Sequence, residues 1–152
     1  MAKSIHATCV AIGGRALLIM GRSGVGKSDL ALRLIDRGAI LVSDDYTVLT
    51  VSDGVLRAAP PANIAGLLEV RHIGIVNMPY AMDVPIALAI SLDEKPERMP
   101  DHPKSLAISG LDLRGIAVPC IALHGHEHSA SIKAEEALKR FGLRKAPDDG
   151  SS

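Results

Sequence analysis

The stretch Gly21-Arg22-Ser23-Gly24-Val25-Gly26-Lys27-Ser28 fits the pattern G-x-x-x-x-G-K-S/T, and it sits where phosphate binding needs it, after an apolar run and before a helical one. Ala16 to Met20 is a short β-prone segment. Leu30, Ala31, Leu34 and Ile35 then recur at helical spacing up to Gly38, which suits a left-handed helix cap. Strand, glycine loop and helix in that order commit the chain to an α/β fold. The glycines allow successive backbone N–H groups to turn inward around a phosphate, and the helix N-terminus adds its positive dipole end. Lys27 is expected to reach the terminal phosphates of a nucleoside triphosphate, and the Ser28 hydroxyl to ligate Mg2+.

The rest of the chain supplies a sheet for that loop. Thr8 to Ile12 and Ala16 to Met20 read as a hairpin across Gly13-Gly14, Ile40-Leu41-Val42 as a short buried strand, and Thr47 to Val51 with Val55 to Ala59 as a second hairpin. Leu67 to Val70, Ile73 to Val76, Ile86 to Leu92, Leu111 to Val118 and Ile121 to Leu123 read as extended, with a polar, proline-broken and mobile loop expected from Asp93 to Lys104. Ser129 to Phe141 reads as a closing amphipathic helix. The expectation is a single α/β P-loop domain with a mixed β-sheet over residues 1–144, followed by a disordered tail over 145–152. With 152 residues, 47% of them hydrophobic, the chain can bury one real core.

Charge and composition exclude several function classes. Seventeen basic residues balance seventeen acidic ones, so no net field gathers a polyanion, and with Tyr46, Tyr80 and Phe141 as the whole aromatic content the chain lacks stacking platforms for single strands. No nucleic-acid partner is expected. The N-terminus lacks a long apolar region and no segment reaches bilayer length, so no membrane role and a cytoplasmic location are expected. Cys9 and Cys120 stand far apart and read as reduced core residues. Asp112-Leu113-Arg114-Gly115 matches D-x-x-G, but no N-K-x-D follows, which sets a regulatory GTPase aside; Asp112 reads as a turn residue.

Asp44-Asp45 carries more weight, because carboxylates at the end of the strand after the P-loop helix face the phosphate site. One can hold Mg2+ while the other accepts a proton from an attacking hydroxyl. His124, His126 and His128 fall at alternate positions; on an extended segment they would share a face that could bind a metal or a phosphate, although a solvated loop before the last helix is the simpler reading.

Three blocks resemble the bacterial HPr kinase/phosphorylase family. They are His6 before the first strand, Gly21 to Ser28 running on through Arg37-Gly38 to Asp44-Asp45, and Gly66-Leu67-Leu68-Glu69-Val70-Arg71-His72-Ile73-Gly74-Ile75-Val76-Asn77. The resemblance implies a fold of the HPr kinase/phosphoenolpyruvate carboxykinase type and an ATP- and Mg2+-dependent kinase that phosphorylates a serine of the phosphocarrier protein HPr or a paralogue. It makes His6 an active-site histidine, Lys27 the phosphate-binding lysine, Asp45 the base that takes the serine proton, Ser28 and Glu69 magnesium ligands, and Arg98 an arginine needed for catalysis. It also implies a hexamer. Full-length members carry an additional N-terminal domain, whereas this chain begins at the catalytic part, so the short form is expected, with regulation through that domain absent or different. The family's reverse-reaction loop is rich in Pro and Arg, while Leu123-His124-Gly125-His126-Glu127-His128 takes the corresponding place, so reverse phosphorylase activity is expected to be weak. The rival readings are a P-loop kinase for a small metabolite, which would enclose its substrate under an arginine-rich lid, and a non-catalytic nucleotide-sensing module. Arg98 as the one arginine in the candidate lid disfavours the first; Asp45 and Glu69 around the loop disfavour the second.

Overall fold

A computed structural model describes residues 2–144; the expected tail, 145–152, lies outside the described residues. Among the described residues ten strands and two α-helices follow in the order β1 (Ala2–Ile12), β2 (Arg15–Met20), α1 (Lys27–Asp36), β3 (Ile40–Ser43), β4 (Tyr46–Ser52), β5 (Val55–Ala59), β6 (Leu67–Val70), β7 (Gly74–Asn77), β8 (Val84–Ser91), β9 (Lys104–Ser105), β10 (Pro119–Ala122) and α2 (Ala130–Phe141), with a single 3-10 turn at Ala62–Ile64 between β5 and β6. No helix among the described residues is long and apolar enough to cross a membrane.

Two long strands organise the sheet by serving two neighbours each. The first half of β1, Ala2 to His6, pairs antiparallel with β4, while Ala7 to Ile12 pairs with β2 on one side and, through Cys9 to Ala11, with β3 on the other. In β8, Val84 and Pro85 pair with β5, and Ile86 to Ser91 run parallel to β2. The ladders β2–β1, β1–β4, β4–β5, β5–β8 and β8–β2 therefore close on themselves, and β10 adds parallel to β8. Residues of alternate parity on these strands face two different cores. Cys9, Ala11, Leu18, Leu49, Leu56 and Ala89 pack inside the curl of strands. Val10, Leu17, Ile19, Leu88 and Ile90 face Leu30 and Leu34 of α1 and Ala134 and Leu138 of α2. Both faces of the central strands are thus buried, as parallel pairing with helical cover requires.

Helix α1 starts because Gly26, at φ 102, turns the loop into it from a left-handed conformation that favours glycine. It stops at Gly38, φ 110, where the N–H groups of Gly38 and Ala39 return to the carbonyls of Ile35 and Leu34. The mixed sheet and both helices agree with the sequence. Three local expectations do not. Leu111 to Val118 is not extended, because the Asp112 side chain accepts the Arg114 N–H and Arg114 and Gly115 take positive φ, which makes a turn stabilised by the Ile116 N–H to the Leu113 carbonyl. His124 to His128, by contrast, is a run of turns with the three histidines exposed, in agreement with the reading of a loop before the last helix and not with an extended face shared by the three. Ile73 lies in the β6–β7 turn with its N–H on the Val70 carbonyl, and Ile40, half exposed at the start of β3, is not buried. Both cysteines are free thiols, Cys9 buried and Cys120 half-buried.

Candidate active site

The carboxyl ends of parallel strands β2, β8 and β10 bring three loops to one edge of the sheet: the glycine loop after β2, Asp93 after β8 and His126 after β10. That edge is where open α/β sheets bind ligands. A cleft of about 550 Å³ runs along it, lined by Ser23, Gly24, Gly26, Lys27 and Ser28 of the loop, Asp29 and Leu32 of α1, Asp45, Glu69, Arg71 and His72 from the opposite side, and His126. Asp93 fastens the start of the loop to β8: its carboxylate accepts the Arg22 N–H at 2.9 and 3.2 Å, and the Arg22 guanidinium lies at 3.4 Å.

Lys27 is buried, and its ammonium donates to the carbonyls of Gly21 (2.7 Å) and Arg22 (3.0 Å). Burial lowers its pKa from the ordinary lysine value, and the carboxylates of Asp45, Asp93 and Asp44 oppose that fall. The ammonium is therefore held in place with its charge balanced by nearby acids.

The two adjacent aspartates divide the work that sequence left shared between them. Asp44, buried at the end of β3, accepts from the Ser28 hydroxyl (2.6 Å), from the Thr8 hydroxyl (3.1 Å) and, through its second oxygen, from the Glu69 N–H (3.0 Å). It ties the loop, β1 and β6 together. Asp45 turns outward through a left-handed backbone, φ 66, with its N–H on the Thr8 hydroxyl at 3.2 Å. Its exposed carboxylate lies 2.9 Å from His6 Nε2, so the Nε2–H form of that ring donates to it, and the ring leans on Tyr46 with centroids 5.3 Å apart. A free carboxylate at the cleft, oriented by a histidine and next to the phosphate loop, can take a proton from a hydroxyl there.

Beside the loop, Ser28 and Glu69 offer a cation oxygen donors. The Ser28 hydroxyl spends its hydrogen on Asp44, which leaves its lone pairs free, and Glu69 presents an exposed carboxylate to the same cleft. Hard oxygen ligands suit Mg2+, which takes one or two carboxylates and completes its shell with water and phosphate oxygens. Among the described residues no cluster of three acidic, His or Cys side chains is arranged to hold a metal.

His6, Lys27, Ser28, Asp45 and Glu69 are thus assembled at one place. Arg98 is not among them: it stands exposed in the loop between β8 and β9, outside the cleft lining, whereas Arg71 lies on the lining. Sequence reasoning did not single out Thr8, whose role depends on the register of β1 against β3, nor Asp93, nor the approach of His126 to the loop.

Residues 1–141 match the family model described as HPr Serine kinase C-terminal domain. Among curated proteins, the chain is 45% identical to an HPr kinase/phosphorylase of Clostridium acetobutylicum over 91% of its own length and 49% of the relative's. It is 36% identical to that of Clostridium novyi over 91% of its own length and 48% of the relative's. The chain spans about half the length of these relatives. Among solved structures, it superposes on the Hpr(Ser) kinase/phosphatase from Coxiella burnetii with a TM-score of 0.74 and 30% identity, over 90% of this chain and 94% of that one.

Proposed function

Because the chain belongs to the HPr serine kinase C-terminal domain family, we propose that it transfers the γ-phosphoryl group of ATP to a serine of an HPr-like phosphocarrier protein. The observation that carries this reading is the Asp45 carboxylate, held by His6 in the same cleft as Lys27 and Ser28. In the forward step the serine oxygen attacks the γ-phosphorus, its proton passes to Asp45, and ADP leaves. Lys27 and the loop N–H groups hold the phosphates, and Arg71 faces the site of transfer from the β6–β7 turn. Ser28, oriented by its hydrogen bond to Asp44, and Glu69 would hold Mg2+, which supplies neutralisation of the phosphate charge when bound. Arg98 is proposed to join them from the β8–β9 loop.

The same proposal includes a cytoplasmic homo-oligomer, hexameric as in the family it resembles. It also includes weak reverse activity, since the His124 to His128 turns offer no arginine to grip inorganic phosphate bidentately. Incubation of the protein with labelled ATP, Mg2+ and the HPr-like carriers of the same cell, followed by mass spectrometry, is expected to locate the label on one carrier serine. Label on a small metabolite and on no carrier would replace this reading with that of a metabolite kinase.

A further inference from the structure

Strand β2, which delivers the glycine loop, has β1 and then β3 on one side and β8 and then β10 on the other. The cleft inherits this asymmetry. Asp45, with Glu69 beside it, lies toward β3, and His126 stands toward β10. On the reading proposed above, the γ-phosphate must point at Asp45, where the proton is taken. The triphosphate then runs away from the acidic side, and its nucleoside leaves the loop on the β10 side. What meets it there is His126, with the apolar side chain of Leu32 on α1 lining the same cleft.

The imidazole is placed by its surroundings. A Cβ at Gly26 would lie 3.1 Å from His126 Cε1, so the ring lies close against the loop backbone at a position that a larger residue would crowd. The carbonyls on either side of His126 are held from α1, since the Arg33 guanidinium donates to the Gly125 carbonyl and, at 2.9 Å, to that of Glu127. Gly125 is buried against Leu92, and Glu127 is paired with Lys133 at 2.9 Å. The backbone is fixed while the ring remains exposed to the cleft. No Phe, Tyr or Trp lines that cleft among the described residues, so on the β10 side His126 supplies the planar face.

We propose that His126 is the nucleoside-binding residue of this chain, its imidazole stacking on the base of the bound nucleoside triphosphate. The inference rests on the phosphate loop binding a triphosphate, and the test separates the two. Binding of ATP and of inorganic tripolyphosphate, both with Mg2+ and without any carrier, is measured by calorimetry for the wild type, His126→Ala and His126→Phe. His126→Ala is expected to bind ATP about tenfold more weakly while tripolyphosphate, which has no base, keeps its affinity, and His126→Phe is expected to recover most of the loss because it restores a stacking face. Equal losses for both ligands would make His126 a phosphate contact and overturn the inference, as would no loss for either. A wild type that binds tripolyphosphate as tightly as ATP would overturn it while leaving the phosphate loop intact. A wild type that binds neither would remove the phosphate-loop reading and the inference together.

Discussion

Asp45 combines a strained backbone with an exposed charge, since φ 66 is a conformation that few residues other than glycine, asparagine and aspartate accept. That limits which substitutions are informative. Asp45→Asn keeps the shape and tolerates the left-handed turn, but removes the proton acceptor. It is expected to bind ATP with unchanged affinity and to lose roughly a hundred- to ten-thousand-fold in serine phosphorylation, measured by calorimetry and by labelled transfer. A full rate in that variant would show that the carboxylate is structural. At this scale the glycine loop was legible in sequence because its chemistry is main-chain geometry, which glycine spacing encodes directly. The split between Asp44 and Asp45 was not. It depends on which of two neighbouring side chains points into the fold, and that follows from the hydrogen bonds of Thr8 and Glu69, distant in sequence.

Between elements, the ladder of β1 with β3 brings Thr8 to the end of β3, where its hydroxyl donates to Asp44 and accepts from the Asp45 N–H. Thr8→Val keeps the volume and removes both bonds, leaving a buried carboxylate short of one donor. The expected cost is about 1–3 kcal/mol of stability, together with a higher Mg2+ requirement for transfer, and Thr8→Ser is expected to restore both. Thermal melts and magnesium titrations of the two variants check this; an unaltered magnesium requirement in Thr8→Val would limit Thr8 to a packing role. The helices were readable because their apolar stripes recur at helical spacing and Gly38 closes the first. Leu111 to Val118 was misread because its aliphatic content resembles a strand, while one Asp112 side chain and two positive-φ residues decide for a turn. The loop of His124 to His128 was readable, but not what fixes it: Arg33, on a helix nearly a hundred residues earlier, holds the carbonyls of Gly125 and Glu127.

The whole molecule rests on two cores, and Cys9 lies wholly within the one enclosed by the curl of strands. Burial raises its thiol pKa far above the ordinary value of 9.0. A thiol that ionises in the unfolded chain but not in the folded one takes stability away as pH rises past 9.0, because the unfolded state then holds fewer protons. Cys9→Ala lacks that loss, so its deficit relative to the wild type is expected to shrink by about 1.4 kcal/mol between pH 8 and pH 10, measured by denaturant titration. A constant deficit would mean that Cys9 is solvated. The closure of β2, β1, β4, β5 and β8 into a ring bears on how copies of the chain can meet. A sheet edge is an open invitation for another strand, and little edge is left here. β9 is two residues long and begins with Lys104, the far side of β3 is covered at Leu41 by Tyr80 and Ala81, and the outer half of β1 carries Lys3. The ring thus leaves few positions in the main sheet at which a second copy could add a strand, and favours contact between copies through side-chain surfaces.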